Sequence, residues 1–274
     1  MEWDWALLFV TGLLAGVLGS VAGLGGGIVV VPALLFFSQR FPSFTHITPA
    51  VASGTALFIV MLTGMSSTFS YARQRRVDYK SGLLFALGSS PGALAGAHFS
   101  RYLSADVFYM LFGTLVITMA LLLRKRDERG NREIQWKVRR QYTDAHGERY
   151  EYGYNPFLAI SIAFGIGVLA GLFGIGGGLL FVPLMLLLFR FPPHLATATS
   201  MFVIFLSSIT GSMTHIVLGH VDWWAVVWLA PGAWIGAMIG AMVSRKMSGP
   251  LLITLLQVIF ACLGLRMIWI GLTG

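Results

Sequence analysis

The sequence predicts an all-α polytopic membrane protein made of two inverted repeats of about five segments each. Hydrophobic residues make up 56% of the chain and charged residues 11%, whereas a soluble domain carries about 25% charged residues. Apolar stretches of helical length recur along the chain, without the ten-residue alternation that is typical of a membrane β-barrel. A glycine-rich motif occurs twice, at residues 23–27 and 174–178. This duplication predicts that the two halves share one architecture.

The first half, residues 1–123, is predicted to hold five membrane segments. No small-residue cleavage site follows the first apolar span, residues 5–21, so we expect this span to stay in the mature protein. The glycine motif then breaks the apolar run, because consecutive glycines destabilise a helix. The short run after it, residues 28–37, would form about 15 Å of helix, which predicts a half-helix or one arm of a re-entrant hairpin. The remaining spans are predicted at residues 49–71, 81–99 and 106–123.

Residues 124–155 form a polar linker that holds nine of the 19 basic residues and six of the 11 acidic residues. Two stretches in which apolar and polar residues alternate flank a turn-forming segment at residues 144–147. Their apolar members are Ile134, Trp136, Val138, Tyr150, Tyr152 and Tyr154. This period of two predicts a small β-hairpin. Because the spans on either side carry their own packing, we expect the linker to contribute little to the fold.

The second half, residues 156–274, repeats the first half. Its glycine motif lies 151 residues after the first one, and each motif is followed by a proline, Pro32 and Pro183. Further along, Thr55 matches Thr199 and Tyr71 matches His215, each pair 144 residues apart. A short apolar run is again predicted after the motif. The predicted segments are residues 156–172, 179–189, 196–216, 223–243 and 251–270.

An odd number of segments per half would reverse the second half relative to the first, and the distribution of positive charge tests this arrangement. Placing the linker in the cytoplasm puts 16 Lys and Arg residues inside and leaves three outside, Arg40, Arg101 and Arg266. The opposite orientation would put the 16 outside. We therefore predict a cytoplasmic linker and two termini on the other side of the membrane.

Each glycine break offers backbone N–H groups at the start of a half-helix, where the helix dipole is positive. Such a terminus can hold an anion without a buried lysine or arginine. The alternative is close helix packing, for which small residues are common in membranes. We favour a binding site because the break occurs in both halves, and because no Gly-Lys-Ser/Thr follows it, nucleotide binding is not predicted. The glycines of the predicted site are Gly25, Gly26, Gly27, Gly176, Gly177 and Gly178.

Hydroxyl groups within the predicted spans could donate to an anion or bond back to their own helix. Thr55 and Thr199 are the better candidates, because they match across the repeats. His215 could donate to the anion, relay a proton, or be a satisfied interfacial residue. Arg101 and Arg245 occupy matching positions and could attract anions or extend to lipid headgroups. The side chains of the predicted binding site are Ser53, Thr55, Tyr71, Thr199, Ser200 and His215.

Composition argues against several other kinds of site. Cys262 is the only cysteine, so we predict no disulfide and no multi-cysteine metal or redox site, and we expect this thiol to pack in the core. The 12 methionines do not pair with histidines, which argues against a copper site. We predict neither a metal nor another cofactor. The net charge of +8 is accounted for by loops beside anionic lipid rather than by binding of nucleic acid.

The chain resembles the TauE/SafE sulfite-exporter family. The resemblance rests on Gly25-Gly26-Gly27 with Pro32, on Gly176-Gly177-Gly178 with Pro183, and on the Ala-Thr-Ala-Thr-Ser of residues 196–200. It covers nearly the whole chain except the linker. It implies a permease of the bacterial cytoplasmic membrane for sulfite, for sulfonates such as sulfoacetate, or for related small sulfur oxyanions. Related thiosulfate-uptake permeases use cysteines along their path, and Cys262 alone does not supply such a relay.

We therefore expect a permease that exports sulfite or a small organosulfonate, bound between the two glycine breaks and driven by a proton or ion gradient. The other expected partners are membrane lipid and the coupling proton or ion. The sequence leaves open whether the protein forms a homo-oligomer. The alternatives are a passive anion channel, an uptake permease for another sulfur oxyanion, and a membrane-embedded enzyme. An enzyme would need acids, bases or metal ligands within the spans, where hydroxyls and glycines predominate. We therefore expect no enzymatic activity.

Overall fold

The computed structural model describes residues 4–102, 105–124, 136–143 and 148–273. The helices of the first half are α1 (Asp4–Ala22), α2 (Gly27–Arg40), α3 (Pro49–Arg73), α4 (Tyr79–Phe99) and α5 (Ala105–Arg124). Two strands follow, β1 (Val138–Thr143) and β2 (Arg149–Tyr154). The helices of the second half are α6 (Pro156–Phe173), α7 (Gly178–Leu187), α8 (Pro193–Val217), α9 (Trp223–Lys246) and α10 (Gly249–Thr273).

The protein is an all-α polytopic membrane protein. Among the described helices, six are long and apolar enough to cross a membrane, namely α1, α3, α6, α8, α9 and the Gly249–Arg266 part of α10. The helices that follow the glycine breaks are shorter: α2 has 14 residues and α7 has 10. At 1.5 Å per residue they extend about 21 Å and about 15 Å, less than the ~30 Å of a bilayer core. Both are therefore partial spans.

The duplication of the sequence is matched by the packing of the helices. Helices α3 and α8 both have 25 residues, start at Pro49 and Pro193, and pack against each other at the centre. Around them α1 packs on α9 and α6 packs on α4, while α5 pairs with α10. Each of these pairings has its counterpart when the halves are exchanged. That the halves cross the membrane in opposite directions remains a prediction.

Glycines inside the helices allow the outer pairs to approach closely. The α-carbon of Gly16 in α1 faces the backbone carbonyl of Ala233 in α9, and that of Gly171 in α6 faces the carbonyl of Ala93 in α4. A Cβ atom at either glycine would collide with that carbonyl. Small residues of this kind are typical of membrane helix interfaces. These helical glycines are thus packing residues.

The described part of the linker forms an antiparallel hairpin that packs against the helices. Val138 of β1 pairs with Tyr154 of β2, and Tyr152 and Tyr154 are only 4% and 2% exposed. The Tyr152 ring lies 4.3 Å from the ring of Phe191, between centroids, and the Gly153 N–H donates to the Phe189 carbonyl at 3.1 Å. The expectation that the linker contributes little to the fold is therefore wrong. The predicted turn at residues 144–147 lies outside the described residues.

Cys262 is exposed on α10, so the prediction that it packs in the core is also wrong. Helix α10 lies at the edge of the bundle, where its main neighbour is α5. In a membrane protein the outward face of a peripheral helix is as apolar as the inward face, because lipid is its solvent. An apolar run therefore does not identify which of its residues are buried by protein.

Candidate functional site

The two glycine breaks touch each other at the centre of the helices. The α-carbon of Gly27 faces the Gly174 carbonyl and lies close to Ile175, and the α-carbon of Gly178 faces the Gly23 carbonyl and lies close to Leu24. All residues of both motifs are buried. The structure thus brings the predicted glycines of the two halves to one place.

The backbone adopts the same unusual conformation in both breaks. Gly25 and Gly26 have φ angles of 82° and 83°, and the matching Gly176 and Gly177 have 70° and 78°. This left-handed region costs other L-residues roughly 1–2 kcal/mol, so it favours glycine. Gly26 and Gly177 are the N-caps of the half-length helices α2 and α7.

These two helix starts leave backbone donors available. Within the described chain, the N–H groups at the start of each half-length helix have no backbone hydrogen-bond partner. They belong to Gly26, Gly27 and Ile28 in one half and to Gly177, Gly178 and Leu179 in the other. Each helix start carries about half a positive charge from its dipole. An anion held here would meet donors and positive potential from both halves of the chain.

Two apolar side chains cover this place. A Cβ atom added to Gly25 would lie 2.9 Å from Cγ1 of Val60 and 3.1 Å from Cγ2 of Ile204, and the matching Gly176 contacts the same two side chains. Val60 and Ile204 are themselves equivalent, 144 residues apart on α3 and α8. Both side chains thus lie directly against the two breaks. Sequence reasoning missed both residues, because one valine and one isoleucine in an apolar helix carry no distinguishing pattern.

Thr55 and Thr199 join the two halves by matching hydrogen bonds. Thr199 Oγ1 on α8 accepts from the N–H of Asp78 at 3.1 Å, and Thr55 Oγ1 on α3 accepts from the N–H of Asp222 at 2.9 Å. Asp78 and Asp222 cap the starts of α4 and α9. Both threonines thus hold the first turn of a helix that belongs to the other half.

Three other predicted side chains bond to backbone carbonyls beside the breaks. Tyr71 donates to the carbonyl of Ser20 at 2.8 Å, and its counterpart His215 donates from Nε2 to the carbonyl of Gly171 at 3.0 Å. Ser200 donates to the carbonyl of Gly23 at 2.9 Å. These bonds fix the ends of α1 and α6, from which the breaks begin. His215 Nδ1 is buried and has no partner within the described chain.

Ser53 differs from the other candidates because its hydroxyl is free. It is fully buried on α3, and its Oγ has no hydrogen-bond partner in the described part of the protein. Its backbone lies against Gly174, the first glycine of the second break. A buried hydroxyl without a partner is unfavourable by about 1–3 kcal/mol, and an anion bound here would relieve that cost. Among the predicted side chains, Ser53 is the one whose hydroxyl has no partner in the described residues, which makes it a candidate donor to a ligand.

The Asp78 end of the molecule is closed by the hairpin. The buried Asp78 carboxylate accepts hydrogen bonds from Ser81 Oγ at 2.5 Å and from the Tyr152 hydroxyl at 2.8 Å, and it pairs with Arg140 Nη1 at 2.7 Å. The Tyr154 hydroxyl lies 2.9 Å from Ser81 Oγ. Burial and the charge of Asp78 raise the pKa of the Tyr152 phenol above its ordinary value.

The equivalent Asp222 has a different set of partners. Its carboxylate caps α9 by accepting from the N–H groups of Trp224 at 3.0 Å and Ala225 at 3.2 Å. Its other oxygen lies 2.9 Å from Nε2 of His46, whose side chain is 59% exposed. Each end of the molecule thus has an equivalent capping aspartate, but Asp78 is bound by the hairpin and Asp222 by the exposed His46.

The structure does not test the prediction that Arg101 and Arg245 attract anions from equivalent positions at opposite mouths. The side chain of Arg101 lies outside the described residues. Arg245 lines a cleft beside the turn between α9 and α10. The described residues contain no group of three or more His, Cys, Asp or Glu side chains that could hold a metal ion.

Comparison with known proteins shows that the sequence is similar to membrane transporters. A sequence-family model described as "Sulfite exporter TauE/SafE" matches residues 8–267. "Probable membrane transporter protein YunE" of Bacillus subtilis is 45% identical over 270 residues, covering 98% of this chain and 99% of that protein. A probable membrane transporter protein of Methanocaldococcus jannaschii is 30% identical over 77% of this chain and 72% of its own length. No solved structure matches.

Proposed function

The chain belongs to the TauE/SafE sulfite exporter family and is a membrane transporter, and on this basis we propose that it exports sulfite or a small organosulfonate across the bacterial cytoplasmic membrane. The anion would bind where the two glycine breaks touch. The observation that carries this proposal is the contact between Gly27 and the Gly174 carbonyl, together with its counterpart between Gly178 and the Gly23 carbonyl. These contacts set the positive start of each half-length helix against the first residues of the opposite break, and this arrangement supports the proposal.

The chemistry of the proposed site suits a small oxyanion. Sulfite and sulfoacetate are small anions that present several oxygen acceptors, and the proposed site offers backbone N–H groups and the Ser53 hydroxyl. Each helix start contributes roughly 0.3–2 kcal/mol toward a negative ligand, with the upper value where water is excluded. The contacts of Val60 and Ile204 with both breaks support such exclusion. No cationic side chain is required, so the anion can also leave.

The closed arrangement favours a carrier over a passive channel. A channel needs a continuous aqueous path, whereas Val60 and Ile204 cover both breaks and the two ends are held at Asp78 and Asp222. In the proposed cycle, the Asp78 end and the Asp222 end open alternately around the central site. His215, whose buried Nδ1 has no partner in the described chain, is the proposed position of a coupling proton.

Transport by the purified protein in proteoliposomes tests the substrate. Vesicles are loaded separately with sulfite, sulfoacetate, taurine, thiosulfate or sulfate, and the efflux of each is followed with and without an imposed pH gradient. We expect sulfite or sulfoacetate to leave fastest and taurine, which carries a compensating ammonium group, to leave slowly. Equal efflux of all five compounds would contradict a selective site. Equal efflux rates with and without the pH gradient would contradict proton coupling.

The proposed orientation, with the linker in the cytoplasm, is tested by labelling in intact cells. In a Cys262→Ala background, a cysteine is placed at the exposed Arg139 of β1, and in a second variant at the exposed Arg40 that ends α2. An impermeant maleimide added outside should label the cysteine at position 40 and leave the one at position 139 unlabelled. The reverse pattern would overturn the orientation.

A further inference from the structure

A wide cleft lies on the same side of the protein as the hairpin and is separate from the glycine breaks. It has a volume of 1460 Å³ and is bounded by the end of α3, the end of α9, the start of α10 and the hairpin. This volume far exceeds what a sulfite-sized anion needs. The transport site described above does not use any residue of this cleft.

The walls of the cleft are strongly basic. Five of its side chains are cationic, and they come from the end of α3, the turn after it and the end of α9. They are Arg73, Arg75, Arg76, Arg245 and Lys246. Glu148 of the hairpin also lines the cleft, and one of its oxygens accepts a hydrogen bond from Tyr150 at 2.6 Å. Within the described chain, none of the five cations forms an ion pair with a carboxylate.

The basic residues are held in place by the backbone around them. Arg75 has a φ angle of 56°, and its N–H donates to the Ala72 carbonyl at 3.0 Å while the N–H of Arg76 donates to the Tyr71 carbonyl at 3.2 Å. The Gln74 side chain, which accepts from Arg76 at 3.2 Å, donates to the Ala241 carbonyl of α9 at 3.3 Å. This last bond ties the turn that carries Arg75 and Arg76 to the helix that carries Arg245.

The cleft also borders the expected surface of the membrane. Arg73 lies 4.3 Å from the ring centroid of Phe69, whose side chain is exposed on the membrane-spanning helix α3. Along α10 the wall continues past Ile253 to Gln257, two turns into that helix. A ligand in the cleft would therefore meet cations at the end of the helices and a mixed wall of Ile253, Thr254 and Gln257 farther along α10.

We infer that this cleft binds a phosphate-bearing anion, with the phosphate held between the α3–α4 turn and the end of α9. Arginine suits this ligand because its planar guanidinium can donate two hydrogen bonds to one phosphate. The phosphate could come from the headgroup of an anionic phospholipid or from free phosphate in solution. Basic pockets between membrane helices bind anionic headgroups in this manner. This inference does not depend on the transported substrate.

Native mass spectrometry of the detergent-purified full chain tests the inference. The protein is titrated with phosphatidylglycerol, with cardiolipin, with phosphatidylcholine as the uncharged comparison, and with inorganic pyrophosphate. The cleft variant Arg75→Gln/Arg245→Gln is compared with the control Arg40→Gln/Arg266→Gln, which removes the same charge from residues that do not line the cleft. Thermal unfolding checks that both variants remain folded.

We expect phosphatidylglycerol and cardiolipin to bind more tightly than phosphatidylcholine. In the cleft variant their affinity should fall about fivefold for each charge removed, with no change in the control. If pyrophosphate displaces the anionic lipids as effectively as a lipid of the same charge does, the source of the phosphate is a free phosphate anion. If only the lipids bind, the source is the headgroup. Unchanged lipid affinity in the cleft variant, or an equal loss in the control, would overturn the inference. If the double variant does not fold, Arg245→Gln alone is compared with Arg266→Gln.

Discussion

Thr199 and Asp78 come from opposite halves of the chain, and the hydroxyl of Thr199 accepts a hydrogen bond from the backbone N–H of Asp78 at 3.1 Å. Thr55 and Asp222 repeat this bond at 2.9 Å with the halves exchanged. Each central helix therefore holds the first turn of a helix in the other half. Ser200, the neighbour of Thr199, donates to the Gly23 carbonyl. The Asp78 end of the molecule is thus connected to the first glycine break through two adjacent residues of α8.

Replacement of either threonine should destabilise the protein by a similar amount. Thr55→Val or Thr199→Val keeps the shape of the side chain but leaves the N–H of Asp222 or Asp78 without an acceptor, which costs about 1–3 kcal/mol. Unfolding of the purified protein in detergent measures the change. Thr118→Val on α5, where the hydroxyl bonds only to its own helix at Thr114, is the control and should cost less. A loss confined to one of the two threonines would contradict their equivalent roles.

Substitution in the left-handed glycines should disable the binding site while the protein still folds. Gly177→Ala is the sharpest change, because a Cβ atom there would lie 3.1–3.3 Å from the side chains of Ile166 and Phe181, and the φ angle of 78° strains any residue other than glycine. We expect loss of sulfite-dependent thermal stabilisation and at least tenfold slower efflux. Gly165→Ala on α6, where a Cβ atom meets nothing within 4 Å, should behave as the wild type. Wild-type sulfite affinity in Gly177→Ala would remove the breaks from the proposed site.

Ser53→Ala should weaken binding without weakening the fold. The Ser53 hydroxyl has no partner within the described chain, so its removal breaks no internal hydrogen bond. A hydrogen bond to a charged ligand contributes about 1.5–3 kcal/mol, so the affinity for sulfite should fall roughly tenfold or more. Isothermal calorimetry measures the affinity, and thermal unfolding without ligand should show a variant at least as stable as the wild type, because the unpartnered hydroxyl is gone. Ser89→Ala on α4 removes another buried hydroxyl without a described partner and should leave the affinity intact.

The two capping aspartates should differ in what their partners contribute. Arg140→Gln leaves the buried Asp78 carboxylate without its counter-ion, and breaking such a pair costs about 3 kcal/mol. His46→Gln removes a 59%-exposed partner from Asp222, and a pair at the surface contributes at most about 1 kcal/mol. Chemical denaturation of the two variants gives both values. Equal losses of unfolding free energy in the two variants would mean that Arg140 of the hairpin stabilises the Asp78 end no more than the exposed His46 stabilises the Asp222 end.

The Tyr152 phenol should make the protein sensitive to alkali. Its pKa is higher in the folded state, because burial and the Asp78 charge disfavour the phenolate. Such a group contributes stability that is complete below the pKa of the unfolded phenol, about 10, and is lost as the pH rises toward the folded value. The free energy of unfolding should therefore fall above pH ~10. Tyr152→Phe should be less stable at pH 8 and should show a shallower alkaline fall; an unchanged slope would contradict the assignment.

The features predicted well from the sequence are those that a local pattern encodes. Clustered glycines mark the breaks, the short apolar runs mark α2 and α7, and the alternation in the linker anticipates β1 and β2. The offset of 144 residues between Thr55 and Thr199 identified an equivalent pair, but not what the pair bonds to. Their acceptor role depends on Asp222 and Asp78, which lie far away in the sequence.

Other features could not be predicted because they depend on which faces of apolar helices meet. Val60 and Ile204 are apolar like their neighbours in α3 and α8, and what distinguishes them is their contact with Gly25 and Gly176. The burial of Tyr152 and Tyr154 requires Phe189 and Phe191 of the segment after α7, so a hairpin pattern alone does not reveal docking. Cys262 shows the reverse case, in which an apolar neighbourhood did not mean a protein interior.

The hairpin closes on Asp78, and the Asp222 end carries only His46 from the loop after α2. If both ends were closed identically, the energy barriers for inward and outward opening would be equal, and the molecule would work as well in reverse. In the proposed cycle, opening at the Asp78 end must break the contacts of the docked hairpin, so we expect this opening to have the higher barrier, while the gradients still fix the direction of net flux. In vesicles that hold at most one protein each, in random orientation, efflux should therefore follow two rate constants, one for each orientation.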